Sequence, residues 1–135
     1  MDADTSRKQV TKEELMNPKR KQELLDQYAK IEIDYGVIQL KNKANGKIYI
    51  AAVPNLKNRW SFYQQNLNNG SFPNPDLLAD WRKYGAENFE FSELYRKDAT
   101  DVLNMRYTLK ELKKEWLTKL QPFGDHGYNQ PMKEL

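Results

Sequence analysis

The chain has 135 residues and a net charge of +3, and 30% of its residues are charged. That length suits a domain with one hydrophobic core. No apolar run approaches the roughly 20 residues of a membrane helix, so no membrane partner is expected. The N-terminal stretch is polar and lacks the apolar region of a secretory signal. Cysteine is absent, which excludes disulfides and thiolate metal sites and favours a cytoplasmic location.

Residues 1–33 are predicted to form a helical extension in front of a domain at 34–135. Thr11 and Glu14 have the spacing of a capping box, and Pro18 would end the short helix that it starts. Apolar residues then recur at helical spacing over residues 19–31. The extension could cover a site, support a dimer or extend the core, and its role stays open.

A β-hairpin is predicted next. Ile33 to Leu40 has the composition of a strand, and Asn45-Gly46 supplies the positive φ angles that a tight reversal needs. In the returning strand, residues 47–53, alternation places Tyr49 on the face opposite Ile50.

Helices and one more strand follow the hairpin. The first helix is predicted to run from an Asn55 N-cap to about Leu67, and a short second helix is opened by Pro75-Asp76 and ended by Gly85. A strand starting near Phe89 comes next. A long helix is then predicted from Asp98 or Thr100 to about Leu120. Met105, Leu109, Leu112, Trp116 and Leu120 would form the inward stripe of that helix. The order predicts an α/β (α+β) domain with a three-stranded, mostly antiparallel sheet flanked by helices.

The charge is unevenly distributed. Residues 35–75 contain no Asp or Glu, whereas acids and bases nearly balance on either side. A basic stretch without acids suits a polyanion such as nucleic acid, although a solvated surface would have the same composition. The basic residues of this stretch are Lys41, Lys43, Lys47, Lys57 and Arg59.

Four motifs together resemble the GIY-YIG nuclease superfamily. They are GVIQLKNKANGKIYIAA, NLKNRW, KYGAENFEF and KLQPFGDHGYN, and they extend from about residue 35 to 129. The last is typical of small stand-alone bacterial members. The resemblance implies a three-stranded antiparallel sheet and phosphodiester hydrolysis. The family's chemistry uses two motif tyrosines, an arginine, and a glutamate that holds one divalent metal.

Position by position, this sequence departs from the family's pattern. The first motif tyrosine is replaced by Ile38, and the motif glycine by Ala51, with Ala52 after it. Tyr49 matches the second motif tyrosine and Arg59 matches the arginine, so the resemblance implies catalytic positions for both. A polar ring residue one turn after the arginine corresponds to Tyr63. Tyr128-Asn129 closes the pattern, with Asn129 expected to fasten the tail.

The metal-binding glutamate corresponds to Lys113. An ammonium group repels a cation and cannot coordinate it. Glu111 and Glu115 are each two residues away, about 200° around a helix, and would point elsewhere. We therefore expect no metal cofactor, and Mg²⁺ only if other carboxylates have taken over. The candidates for such a replacement are Asp34, Asp101 and Asp125.

Three functions remain open from the sequence, and so does the question of whether the protein is an enzyme. The first is a degenerate nuclease-fold domain that binds nucleic acid, DNA rather than RNA, through the basic hairpin and Arg59. The second is an active Mg²⁺-dependent DNA endonuclease with rearranged ligands. The third is a protein-interaction module that reuses the fold. The residues expected to contact nucleic acid are Lys41, Lys43, Lys47, Lys57, Arg59 and Lys113.

Overall fold

Three antiparallel strands and three α-helices make up the part of the chain that the computed structural model describes, residues 32–131. The helices predicted within residues 1–33 lie outside it, and the boundary at residue 33 stays a prediction. The strands pair in the order β2-β1-β3, which confirms the predicted fold class. The elements are β1 (Asp34–Asn42), β2 (Ile48–Val53), α1 (Arg59–Asn69), α2 (Pro75–Tyr84), β3 (Phe89–Asp98) and α3 (Met105–Leu120), with short 3-10 turns at Ala86–Asn88 and Gly124–His126.

The hairpin turn forms where the sequence predicts it. Gly46 has a φ of 80°, but the prediction of a positive φ at Asn45 as well is wrong. The backbone N–H of Ala44 donates to the Asn42 side chain at 3.0 Å. Such a left-handed angle is open to glycine at little steric cost. The pairing of β1 with β3 contains an irregularity between Val37 and Ile38.

The sheet separates two hydrophobic clusters, one on each face. The first cluster packs under α1 and α2, and the second under α3. Strand alternation assigns the residues, because neighbours along a strand point to opposite faces. From β2, Tyr49 and Ala51 therefore join the first cluster, and Ile48 and Ile50 the second, as predicted.

Helix α1 begins later than the sequence suggests. Its N-cap is Asn58, whose φ of 58° is left-handed and whose side chain makes no cap bond. The prediction of Asn55 as N-cap is wrong: its side-chain oxygen accepts the backbone N–H of Lys57, so it forms a local turn. Gly70 ends the helix in a left-handed conformation, as expected.

The predicted start of α3 is also wrong. Asp98 still belongs to β3. Hydrogen bonding to Thr100, first from its side chain and then from its backbone N–H, lowers the pKa of the Asp98 carboxylate. Asn104 is the N-cap instead, accepting from the Tyr107 N–H at 3.0 Å. Leu120, predicted to face inward, is substantially exposed at the end of the helix.

The tail runs along the outer edge of β2. The Tyr128 N–H donates to the Ile48 carbonyl at 2.9 Å. The Asn129 side chain then accepts from the Ile50 N–H at 2.9 Å and donates to the Ile50 carbonyl at 2.8 Å. One side chain thus replaces a neighbouring strand at this position, and Asn129 does fasten the tail. A Cβ on Gly127 would collide with the Ile48 carbonyl, so this close approach requires glycine.

Candidate functional site

Arg59, at the first turn of α1, is held in place by backbone and rings. Its Nε and Nη2 donate to the Asn55 carbonyl at 3.1 and 3.0 Å. The guanidinium lies 5.4 Å from the ring centre of Phe62 and 5.9 Å from that of Tyr63, within cation–π range. Residues three and four apart share one side of a helix, so the positions of these rings follow from the sequence spacing. The arginine is half-buried and pre-positioned.

Two tyrosines line the site beside Arg59. Tyr49 comes from β2 and Tyr63 from α1, and each packs edge-on against Phe72, with ring centres 5.5 and 5.4 Å away. Burial raises the pKa of Tyr49. Burial is also the main cause that raises the pKa of Tyr63. The nearby Tyr49 raises that pKa further, and the positive charge of Arg59 lowers it. Both phenols are therefore neutral near pH 7, where they can donate hydrogen bonds but serve poorly as bases.

At the position of the first motif tyrosine, Ile38 is completely buried. It packs in the first cluster together with Tyr63, and Ala51 packs against the same cluster. An alkyl group there can neither donate nor accept a proton. The site therefore has an arginine and two protonated phenols on an apolar floor.

The basic residues of the hairpin lie at two separate places. Lys43 and Lys47 flank the turn, and the Lys47 ammonium lies 5.6 Å from the Tyr128 ring centre. Lys57 is exposed two residues before Arg59. The six residues of β2 separate the lysines at the turn from Lys57. At roughly 3.3 Å per strand residue, these two groups of basic residues lie about 20 Å apart. Lys41 is exposed near the end of β1.

Lys113 is exposed on α3. The buried residue of that helix, Leu117, packs with Val37 and Ile50 on the face opposite Tyr49. Within residues 32–131, no hydrogen bond or ion pair connects Lys113 to the Arg59 site. The structure thus brings Arg59, Tyr49 and Tyr63 together and leaves Lys113 apart from them.

Within residues 32–131 the carboxylates do not gather into a cluster of potential metal ligands. No group of three or more Asp, Glu or His side chains comes together there. The Asp34 carboxylate is paired with Arg96, and Asp101 and Asp125 are exposed. With an ammonium group at position 113, these residues do not fit the single-carboxylate metal site that the resemblance implies.

A polar network fastens the hairpin turn and was not predicted. The Tyr128 hydroxyl donates to Asp80 at 2.7 Å and accepts from the Asn42 amide at 3.1 Å. The Asn45 amide donates to the same Asp80 oxygen at 3.2 Å. Its members come from three segments that are distant in the sequence, so no local pattern predicts that they meet.

Phe62 and Phe72 were also missed as parts of the site. Phe72 lies nine residues beyond Tyr63 in a loop, where no periodicity predicts its partner. The exposure of Phe62 could have been predicted from the sequence. Phe62 and Tyr63 are adjacent on a helix, and only one of two adjacent helical residues can face the core.

No protein-family model matches the chain, and no curated protein matches it. Two solved structures do. The catalytic domain of the intron endonuclease I-TevI, in a mutant form, is 25% identical with a TM-score of 0.60, covering 72% of this chain and 93% of that domain. A second structure, of the catalytic domain of the homing endonuclease I-TevI, is 23% identical with a TM-score of 0.58. The match covers 73% of this chain and 99% of that domain. Within residues 32–131 no helix has the length and apolar character needed to cross a membrane. The motifs, the β2-β1-β3 sheet and these two structures together identify the fold of this chain as GIY-YIG-like.

Proposed function

We propose that this chain binds nucleic acid through a GIY-YIG-like domain that has lost most or all phosphodiester hydrolysis. One observation carries the proposal. Arg59 is fixed beside Tyr63 and close to Tyr49, while Ile38 and Lys113 occupy the positions where the resemblance expects the first motif tyrosine and the metal-binding glutamate. An arginine fork binds phosphate well, and hydrolysis needs more than phosphate binding.

Binding is supported by charge and by placement. The stretch from residue 35 to 75 has no acids, and the lysines at the turn and before α1 lie about 20 Å apart along β2. That separation matches several phosphates of an extended strand or a duplex. The fixed guanidinium pays little conformational entropy when a phosphate arrives. Both matching structures are of the catalytic domain of the endonuclease I-TevI, and we propose DNA rather than RNA as the partner of this chain.

Impaired hydrolysis is supported by the side chains found at the positions of the family's catalytic residues. The residues offer no carboxylate at position 113 and no phenol at position 38, and the phenols that remain are held protonated by burial. The loss of a metal's charge stabilisation costs several kcal/mol, which is several orders of magnitude in rate. We therefore propose that the protein needs no cofactor to bind. A cytoplasmic location remains part of this proposal.

The test is a plasmid assay with three proteins. The chain, its Arg59→Ala variant and an Arg106→Ala control are incubated with supercoiled plasmid in Mg²⁺ or Mn²⁺ at low salt. Arg106 is an exposed arginine on α3, outside the site. We expect a retarded, uncut band that weakens for Arg59→Ala and not for the control. Affinity should fall several hundred-fold between 50 and 200 mM salt if about five phosphates are contacted.

Other results would favour the two alternatives. Nicking that disappears in Arg59→Ala would show an active endonuclease, the function suggested by the I-TevI likeness, and would refute the loss of hydrolysis. If there is no retardation at any salt concentration, nucleic-acid binding is wrong and a protein-interaction module becomes the better account.

A further inference from the structure

Phe62 stands out on the surface of α1. Its side chain is 50% exposed, whereas Tyr63, the next residue, is buried in the first cluster. Their ring centres are 6.2 Å apart and the rings are tilted by 43°. One ring is thus buried in the core, while half of the adjacent side chain is exposed to solvent. A single exposed aromatic residue is common on proteins, so only its surroundings can distinguish a binding surface from an ordinary one.

The surroundings of Phe62 are cationic and ordered. The Arg59 guanidinium lies 5.4 Å from its ring centre and is held by two hydrogen bonds to the Asn55 carbonyl. Those bonds use Nε and Nη2. Within residues 32–131 the remaining nitrogen, Nη1, makes no hydrogen bond, so it is free for an anion. A ring face and a phosphate donor therefore lie within one helical turn of each other.

The exposed side of α1 has no competing charge. Arg59 is the only charged residue between positions 58 and 75, and Ser61 and Gln65 are exposed beside Phe62. Hydroxyl and amide groups can hydrogen-bond to the edges of bases. An apolar protein partner would be expected to meet a wider apolar surface, but the neighbours of Phe62 here are polar or cationic. The chemistry is complementary to a nucleotide: an aromatic face for the base and a guanidinium for its phosphate.

We propose that Phe62 stacks on an unpaired base while Arg59 binds the adjacent phosphate, so that single-stranded or locally unpaired nucleic acid is preferred to continuous duplex. This inference rests on the proposed function and names the substrate class of the same site. Bases inside a duplex are stacked on both faces and cannot offer one to Phe62. Unpaired bases in flaps, loops and frayed ends can, at little unstacking cost.

The test compares a fluorescently labelled single strand of mixed sequence with the blunt duplex of the same sequence, by fluorescence anisotropy at fixed low salt. The variants are Phe62→Ala, Phe62→Trp and Tyr107→Ala. Tyr107 is a matched control, since it is 61% exposed on α3 and lies outside the site. We expect Phe62→Ala to weaken single-strand binding about tenfold, the effect of losing one stacked base. Duplex binding should change by less than about twofold, and Phe62→Trp and Tyr107→Ala should resemble the parent protein.

A second measurement reports stacking directly. A single strand carrying 2-aminopurine changes fluorescence when that base stacks on an aromatic ring. The change should be seen with the parent protein and Phe62→Trp and be lost with Phe62→Ala. Thermal unfolding of each variant shows whether it is folded.

Three results would overturn the inference: equal affinity for single strand and duplex, an unaltered response in Phe62→Ala, or an equal loss in Tyr107→Ala. If the parent protein still binds both ligands in a salt-dependent way, these results leave the proposed function standing. Absence of binding to either ligand would instead refute the proposed function itself.

Discussion

Replacing Asn129 by alanine would remove both hydrogen bonds that the tail side chain makes to Ile50. The Ile50 side chain is completely buried and Asn129 is 7% exposed, so the freed N–H and carbonyl have poor access to water. Each unsatisfied buried group costs about 1–3 kcal/mol, so the pair predicts a loss of about 2–6 kcal/mol in unfolding free energy. A domain of this size has about 5–15 kcal/mol in total. The melting temperature should therefore fall by at least about 10 °C.

The assay is urea unfolding followed by circular dichroism, with Gln130→Ala as a control at the exposed next residue. Asn129→Asp makes the test sharper. A carboxylate can still accept from the Ile50 N–H but repels the Ile50 carbonyl unless it is protonated. Its pKa would be raised in the folded state, so this variant should regain stability as pH falls toward 4 and lose it as pH rises. A loss below about 0.5 kcal/mol in Asn129→Ala, or no pH dependence in Asn129→Asp, would refute this account of the tail.

Three further predictions concern the core and the hairpin. Burial raises the pKa of Tyr128 to about 12, above the ordinary value of about 10. The Tyr128 hydroxyl therefore stabilises the fold below pH 10, and this stabilisation is lost as the pH rises toward 12. Urea unfolding across that range should show a smaller fall in unfolding free energy for Tyr128→Phe than for the parent protein. In Gly36→Ala the new Cβ would collide with the Tyr95 carbonyl, so thermal unfolding should reveal a loss of about 1–3 kcal/mol or more. Ile38→Tyr would force a larger, polar ring into a completely buried site, so we expect a loss of about 1–3 kcal/mol by the same measurement and no gain of nicking in the plasmid assay.

The hairpin and the strand faces could be predicted because they depend on local signals. Asn45-Gly46 specifies the turn, and period-two alternation assigns Tyr49 and Ile50 to opposite faces. The ends of helices were harder. Asn55 and Asn58 are both good N-cap residues by type, so residue type alone does not choose between them. In the structure Asn55 forms a local turn with Lys57, and the helix starts after Asn58.

The site itself could be predicted only in part. The resemblance pointed to Arg59, Tyr49 and Tyr63, and the structure brings these three together. It could not reveal the contact of Phe72 with both tyrosines, because that residue comes from a loop without periodicity. The exposure of Lys113 followed from the register of α3 against the sheet, which a single sequence does not specify.

The tail contacts on β2 bear on the order in which this domain can fold during synthesis. Asn129 bonds to Ile50, a residue 79 positions earlier, so the hairpin is made long before its outer edge is covered. A nascent chain would expose that edge until residue 129 leaves the ribosome, and exposed strand edges can pair with other chains. Contacts so distant in sequence are also slow to form. Emergence of the tail residues around Asn129 would therefore be the step that ends the aggregation-prone stage of this domain.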